Sequence, residues 1–162
     1  MWLALFLIGR GTAAPKDVIE EAALPHMVKA GHTAEVREIL EAKSIPLDTN
    51  VLDIAILSGN AELVQLLRQY GYYSQGAYEL AIERSDIHLV ELLEGDPNLE
   101  WYGSRPLHAA VRASSLESVI YLLQKGAKQK WKDSTGQTAF NITVDKQDEH
   151  IIKALNKGRH YY

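Results

Sequence analysis

The sequence has 162 residues, of which 46% are hydrophobic and 23% are charged, and this composition is ordinary for one globular domain. The formal net charge is −4, so the chain as a whole has no electrostatic attraction to nucleic acid. It contains no cysteine, which excludes disulfide bonds and cysteine-based zinc sites.

Residues 1–8, from Met1 to Ile8, form an apolar run with the sequence MWLALFLI. A helix needs about 20 apolar residues to span a bilayer, so this run is too short. Two interpretations stay open: the run covers the open side of the first helical repeat, or it is an anchor or signal remnant that contacts a membrane or a partner. We expect a cytoplasmic protein, with an exported or membrane-associated one as the alternative.

Residues 15–23 predict a short helix, because acidic residues in its first turns suit the helix dipole. Pro25 is expected to end this helix or to begin the next one. We therefore assign residues 1–23 to an N-terminal apolar segment and a capping helix.

A helix–turn–helix unit of about thirty residues is predicted between Arg105 and Asp133. Pro106 suits a first helical position, since it has a fixed φ and no N–H to leave unpaired. Ser115 can cap the second helix, and Gly126 follows that helix where a left-handed residue is needed.

Four other stretches repeat this pattern of two short helices. Each second helix is preceded by a residue type that caps helices well. These predicted caps are Thr33, Asn60, Asp86, Ser115 and Asp148, at spacings of 27, 26, 29 and 33 residues.

The segment Arg105-Pro106-Leu107-His108-Ala109-Ala110 resembles the Thr-Pro-Leu-His-x-Ala motif of ankyrin repeats, whose period is 33 residues. The resemblance implies an all-α, ankyrin-like helical solenoid of about five helix–turn–helix repeats over residues 24–157, followed by a tail at 158–162. It also implies that His108 bonds the neighbouring turn. Arg105 replaces the motif threonine, so the usual bond of that side chain is left open. The shorter spacings suggest that the first three links between repeats are trimmed to turns.

Motifs for catalysis are missing from the sequence. There is no nucleophile elbow, no phosphate-binding loop and no metal-binding histidine pair. We therefore predict no enzyme and no cofactor, although a site in the groove around His26 or Glu83 is a minor alternative. Four lysines around Trp131 could bind a phosphate backbone or an anionic lipid, which is a second minor alternative.

Aromatic residues are concentrated in the links between the predicted repeats. Tyr and Trp often anchor protein interfaces, but the same rings could instead cover neighbouring helices, and both interpretations stay open. Trp131, beside the one full-length link, is expected to be exposed. The aromatic candidates for partner contact are Tyr72, Tyr73, Trp101, Tyr102 and Trp131.

Partner binding by the concave face and the loops between repeats is what the resemblance implies. Leu57, Arg84 and Arg112 are candidate contacts on that face. The outward positions of the first helices are His26, Lys29, Leu57, Ser58, Glu83, Arg84, Arg112, Ala113, Asp145 and Lys146. The expected function is therefore that of a non-catalytic scaffold, adaptor or inhibitor that recognises an unidentified protein.

Overall fold

Helices provide the regular structure of the residues that the computed structural model describes, which are 16–42, 50–74 and 76–158. In this part of the chain there are ten helices and no strand, apart from two isolated bridges, Trp101 with Ser104 and Lys132 with Thr138. The expected all-α fold is confirmed. The apolar run of residues 1–8 and residues 159–162 of the predicted tail lie outside the described residues.

The helices form five pairs, and the chain divides into two units, Met1–Ser74 and Gln75–Tyr162. The described residues of the first unit form α1 (Lys16–Ala30), α2 (Thr33–Ala42), α3 (Val51–Ser58) and α4 (Ala61–Gln69). Those of the second unit form α5 (Ala77–Glu83), α6 (Ile87–Leu93), α7 (Pro106–Arg112), α8 (Leu116–Gln124), α9 (Ala139–Lys146) and α10 (Glu149–Gly158).

Helices of the same kind pack against one another within each unit. In the first unit α1 packs on α3, and α2 packs on α4. In the second unit the first helices α5, α7 and α9 form one row, and the second helices α6, α8 and α10 form another. A repeat array is stabilised in this way, because each pair buries its apolar face against the next pair.

Side-chain caps define where most of the second helices begin. Asn60 accepts a hydrogen bond from the Leu63 N–H at 3.0 Å, and Asp86 accepts one from the Leu89 N–H at 3.2 Å. Ser115 and Asp148 make the equivalent bonds to their own helices, at 3.4 and 3.1 Å. Four of the five predicted caps are thus confirmed. Each cap satisfies one N–H group that the first turn of the helix cannot pair internally.

The turn inside every pair contains a residue with positive φ, which lies directly before the N-cap residue of the second helix. This residue ends the first helix in the left-handed conformation and returns the chain for the second. The five residues, with their φ angles in degrees, are Gly31 (77), Gly59 (71), Ser85 (57), Ser114 (54) and Gln147 (58).

Two sequence predictions about the first pair are wrong. Helix α1 continues from Lys16 to Ala30 with Pro25 inside it, so the predicted capping helix and the first repeat helix are one element. Thr33 is the first residue of α2 and does not cap it from outside, because the His32 carbonyl already accepts the first helical bond from the Val36 N–H. The division at residues 23 and 24 remains a prediction.

Each unit has a core that consists mainly of aliphatic side chains between its first and second helices. In the first unit the buried set includes Leu24, Val28, Leu52, Ile56, Leu63 and Leu67. In the second unit it includes Ile82, Leu89, Leu107, Val119, Leu122, Ile151 and Leu155. Because the apolar side of each helix is buried in this way, the outward positions described below lie on the surface.

Candidate functional site

The outward positions of the first helices are on the surface, as the sequence predicts. Leu57 on α3 is 53% exposed, although it is a large aliphatic residue. Arg84 and Arg112 are also exposed, at the ends of α5 and α7. Of the ten outward positions, Ala113 is half-buried and the other nine are exposed.

The five aromatic candidates do not share one environment. Tyr73 is 64% exposed and Tyr102 is 88% exposed, so both are available to a partner. Tyr72 is 2% exposed and belongs to the core of the first unit, so its assignment as a partner-binding residue is wrong. Trp101 and Trp131 are half-buried. The two interpretations of these rings therefore apply to different members of the set.

The turn 101–104 holds Tyr102 in a fixed position. Trp101 and Ser104 exchange two backbone hydrogen bonds of 2.9 Å, which close the turn around Tyr102 and Gly103. The Tyr102 ring meets the Trp101 ring edge to face, with 4.6 Å between centroids and 73° between planes. The Trp101 ring lies against Gly76, where a Cβ atom would be 3.1 Å from it. Trp101 is thus a support for the exposed Tyr102 ring.

A second turn, at residues 133–137, is built around a buried carboxylate. The Asp133 side chain accepts hydrogen bonds from the Thr135 N–H and hydroxyl and from the Gln137 N–H, at 2.9, 2.6 and 3.0 Å. Burial alone would raise the pKa of Asp133, but these bonds and the Arg112 charge outweigh it and lower that pKa below its usual value. The carboxylate therefore stays ionised at neutral pH.

The two turns are joined to each other directly and through Arg112. The Ser134 N–H donates to the Gly103 carbonyl at 2.6 Å. The Arg112 guanidinium donates to the Ser104 hydroxyl at 2.8 Å and to the Asp133 carboxylate. Arg112 is therefore a structural clamp as well as an exposed side chain on the predicted binding row.

Trp131 is covered by cations on its ring, so its expected exposure is only partly met. The Arg105 guanidinium lies 3.9 Å from the centroid of the Trp131 ring, and the Lys128 Nζ atom lies 4.7 Å from it. Arg105 also donates to the Asn98 carbonyl at 2.7 Å and to the Glu100 carboxylate at 2.8 Å. The arginine that replaces the motif threonine thus bonds the preceding turn and stacks on the following one.

His108 has the structural role expected of it. It is 1% exposed, and its Nε2–H donates to the Trp131 carbonyl at 3.1 Å. Burial lowers the pKa of His108 against the opposing effect of Asp133. The bond from the neutral imidazole fixes the backbone at Trp131, two residues before the second turn, relative to α7.

Glu79 on α5 is a buried carboxylic acid without a hydrogen-bond partner among the described residues. Its side chain is 4% exposed, and burial, with a smaller contribution from the Glu83 charge, raises the pKa of Glu79 to about 7. The sequence gives no local signal for this burial, because Glu79 lies in an ordinary amphipathic helix.

The described residues contain no group of three or more His, Cys, Asp or Glu side chains placed to hold a metal ion. His26 and Glu83, the residues of the catalytic alternative, are both exposed, and they lie in different units. No helix in the described part of the chain is long and apolar enough to cross a membrane.

A known repeat family matches the part of the chain that runs from the turn 101–104 through helices α7 and α8 to the start of the second turn. Residues 102–133 match the family model described as ankyrin repeat. These residues of the chain therefore form an ankyrin repeat. This fold generally serves in protein–protein interaction without catalysis, and the helix pairs within each unit pack as ankyrin-like repeats.

Curated relatives are similar to parts of this chain. One is a human protein named transient receptor potential cation channel subfamily A member 1, which is 31% identical over 85 residues, or 49% of this chain. Another, from Rickettsia felis, is named as an ankyrin repeat protein and is 26% identical over 139 residues, or 64% of this chain. The matches span only 8% and 37% of the lengths of these two relatives.

Proposed function

We propose that this chain is an ankyrin-repeat protein and a non-catalytic recognition module, which acts as a scaffold, adaptor or inhibitor. A protein partner would contact the outward positions of the first helices and the turns that follow the second helices. The single observation that carries this proposal is the exposure of Tyr102, 88% of whose surface faces solvent on a turn closed at both ends.

Pre-ordering of Tyr102 favours binding. An aromatic side chain that is already held by backbone bonds and by the Trp101 ring loses little freedom when a partner covers it. Arg84 and Arg112 on the same unit can add hydrogen bonds to a partner. Leu57 and Tyr73 offer the corresponding apolar contacts on the first unit.

Affinity capture from the native cell extract, quantified by mass spectrometry, tests the proposal. Tyr102→Asn removes the ring and retains a residue type that tolerates the φ of 46° at this position. Ile120→Ser is the matched control, because Ile120 is 41% exposed on the second helix α8 and lies outside the predicted face. Tyr72 is left unchanged, since its replacement would open the core.

The expected result is a near-stoichiometric partner that binds the wild type and the Ile120→Ser protein, and that binds Tyr102→Asn about thirty-fold more weakly, as for an interface hot spot. Circular dichroism verifies that both variants fold. Equal capture by all three proteins would show that Tyr102 is not a contact and would contradict this placement of the interface.

A cytoplasmic location is part of the proposal, and membrane association through residues 1–8 is the alternative. Those residues lie outside the described part of the chain. Fractionation separates the two cases, because a cytoplasmic recognition module stays in the supernatant after a salt wash, whereas an anchored one stays with the membranes.

A further inference from the structure

Four lysines follow helix α8 within eight residues, and we call them the lysine patch: Lys125, Lys128, Lys130 and Lys132. All four are exposed. None forms an ion pair within 4 Å with any described residue. The segment 125–132 contains no acidic residue, so its charge of +4 is uncompensated within the segment.

Two acids close to the patch, Asp133 and Glu100, are already paired with arginines. The Asp133 side chain is fully buried and is paired with Arg112. Glu100 is paired with Arg105 at 2.8 Å. An acidic protein of net charge −4 therefore presents a local basic surface that its own carboxylates do not neutralise.

The backbone that carries the lysine patch is fixed by the preceding turn. The Asn98 side chain donates to the Gly126 carbonyl at 3.1 Å and accepts from the Lys128 N–H at 2.9 Å. Arg105 then ties the Asn98 carbonyl to the Trp131 ring. Since Lys128 also lies over the same ring, this part of the segment is held by several contacts and is not a free loop.

We propose that the lysine patch, together with the exposed part of Trp131, docks a short acidic peptide segment of a protein partner. This inference rests on the proposed function, because it assumes a protein ligand. Carboxylates of the peptide would pair with the lysines, and apolar parts of its side chains would pack on Trp131. Four charges within eight residues suit a short peptide, whereas a long polyanion or a bilayer would also meet repulsion from the rest of an acidic chain.

Titration with a fluorescein-labelled twelve-residue peptide, Glu and Gly in alternation, tests this inference by fluorescence anisotropy. Measurements at about 0.02 and 0.15 M salt are compared, because screening weakens exposed charge pairs. The test variant is Lys128→Gln with Lys130→Gln. The control is Lys29→Gln with Lys157→Gln, which removes two exposed lysines of equal charge outside the patch.

The inference predicts salt-sensitive binding of the peptide, about five-fold weaker for the patch variant and unchanged for the control. Backbone amide NMR signals of residues 125–132 should shift on titration. Equal weakening in both variants, or no binding at 0.02 M salt, would overturn the inference. The inference would also be overturned if the patch bound vesicles with 30% phosphatidylserine, or a single-stranded nucleic acid of 20 nucleotides, and did not bind the peptide.

Failure of this inference can be distinguished from failure of the proposed function. A captured partner that depends on Tyr102 but not on Lys128 and Lys130 would preserve the recognition module and reject the acidic docking site. A partner that depends on the lysines and not on Tyr102 would support the docking site and move the interface to the patch.

Discussion

Glu79 provides the sharpest test of the energetics of the second unit. Its carboxylate is buried, and neither oxygen has a hydrogen-bond partner among the described residues. The neutral form is therefore favoured in the folded protein. The variant Glu79→Gln has a neutral side chain of similar shape, and we predict that its stability relative to the wild type is higher at pH 8 than at pH 5.

The magnitude follows from the pKa of Glu79, which rises from 4.5 to about 7 on folding. A difference of one pKa unit between the folded and unfolded states corresponds to about 1.4 kcal/mol, so the ionised form costs on the order of 3 kcal/mol of stability. Below pH 4.5 the group is protonated in both states and there is no such cost. Stability then falls as the pH rises from 4.5 to 7, because the folded state binds more protons than the unfolded state in that range.

Urea unfolding followed by circular dichroism at several values between pH 5 and 8.5 measures this effect. The free energy of unfolding of Glu79→Gln minus that of the wild type should increase with pH by on the order of 3 kcal/mol. Burial of the amide in Glu79→Gln has a free-energy cost that does not depend on pH, so it does not affect how this difference changes with pH. As a control, Glu83→Gln should move the midpoint of the change to lower pH, since the Glu83 charge contributes to the raised pKa of Glu79. A constant difference across this pH range would refute the reasoning.

Three further changes test the turns, the caps and the lysine patch. Gly103→Ala should lower the free energy of unfolding in the urea assay by about 2 kcal/mol, because φ is 71° and a Cβ atom would lie 2.7 Å from the Ser134 side chain. Gly136→Ala is the control: φ is 81°, but a Cβ atom there would have nothing within 4 Å, so the loss of stability should be smaller. Asp86→Ala should lower the free energy of unfolding by about 1 kcal/mol through loss of its cap, and an unchanged urea midpoint would contradict that role. Lys130→Gln removes one charge of the lysine patch and leaves the contact of Lys128 with the Trp131 ring intact. It should raise the thermal midpoint at about 0.02 M salt and lose that gain at about 0.5 M salt; a midpoint equal to that of the wild type at both salt concentrations would contradict charge repulsion within the patch.

Local signals in the sequence predict most of the helical architecture. The caps at Asn60, Asp86 and Ser115 and the helix start at Pro106 depend on a few neighbouring residues, so they can be inferred without knowledge of the fold. The continuous helix through Pro25 could not be inferred in this way. Propensity strongly disfavours proline within a helix, and tertiary packing can override that preference.

The surface was predicted less completely than the helices, because burial depends on distant contacts. The outward position of Leu57 follows from helix periodicity, whereas Tyr72 is buried by neighbours that its local sequence does not reveal. Arg105 was recognised as a departure from the motif, but its stacking on Trp131 joins residues 26 positions apart. The Asp133 turn had a partial signal in the polar segment Asp-Ser-Thr-Gly-Gln, which favours bonds between side chain and backbone.

The left-handed residues inside the five helix pairs bear on how much sequence change the fold can absorb. In the first unit both are glycines, whereas in the second unit Ser85, Ser114 and Gln147 adopt the same conformation with a Cβ atom. Such residues cost roughly 1 kcal/mol each relative to glycine. Replacement of these three residues by glycine should therefore increase the stability of the second unit. In directed evolution, that added stability would offset the loss of stability that accompanies most substitutions on a binding surface.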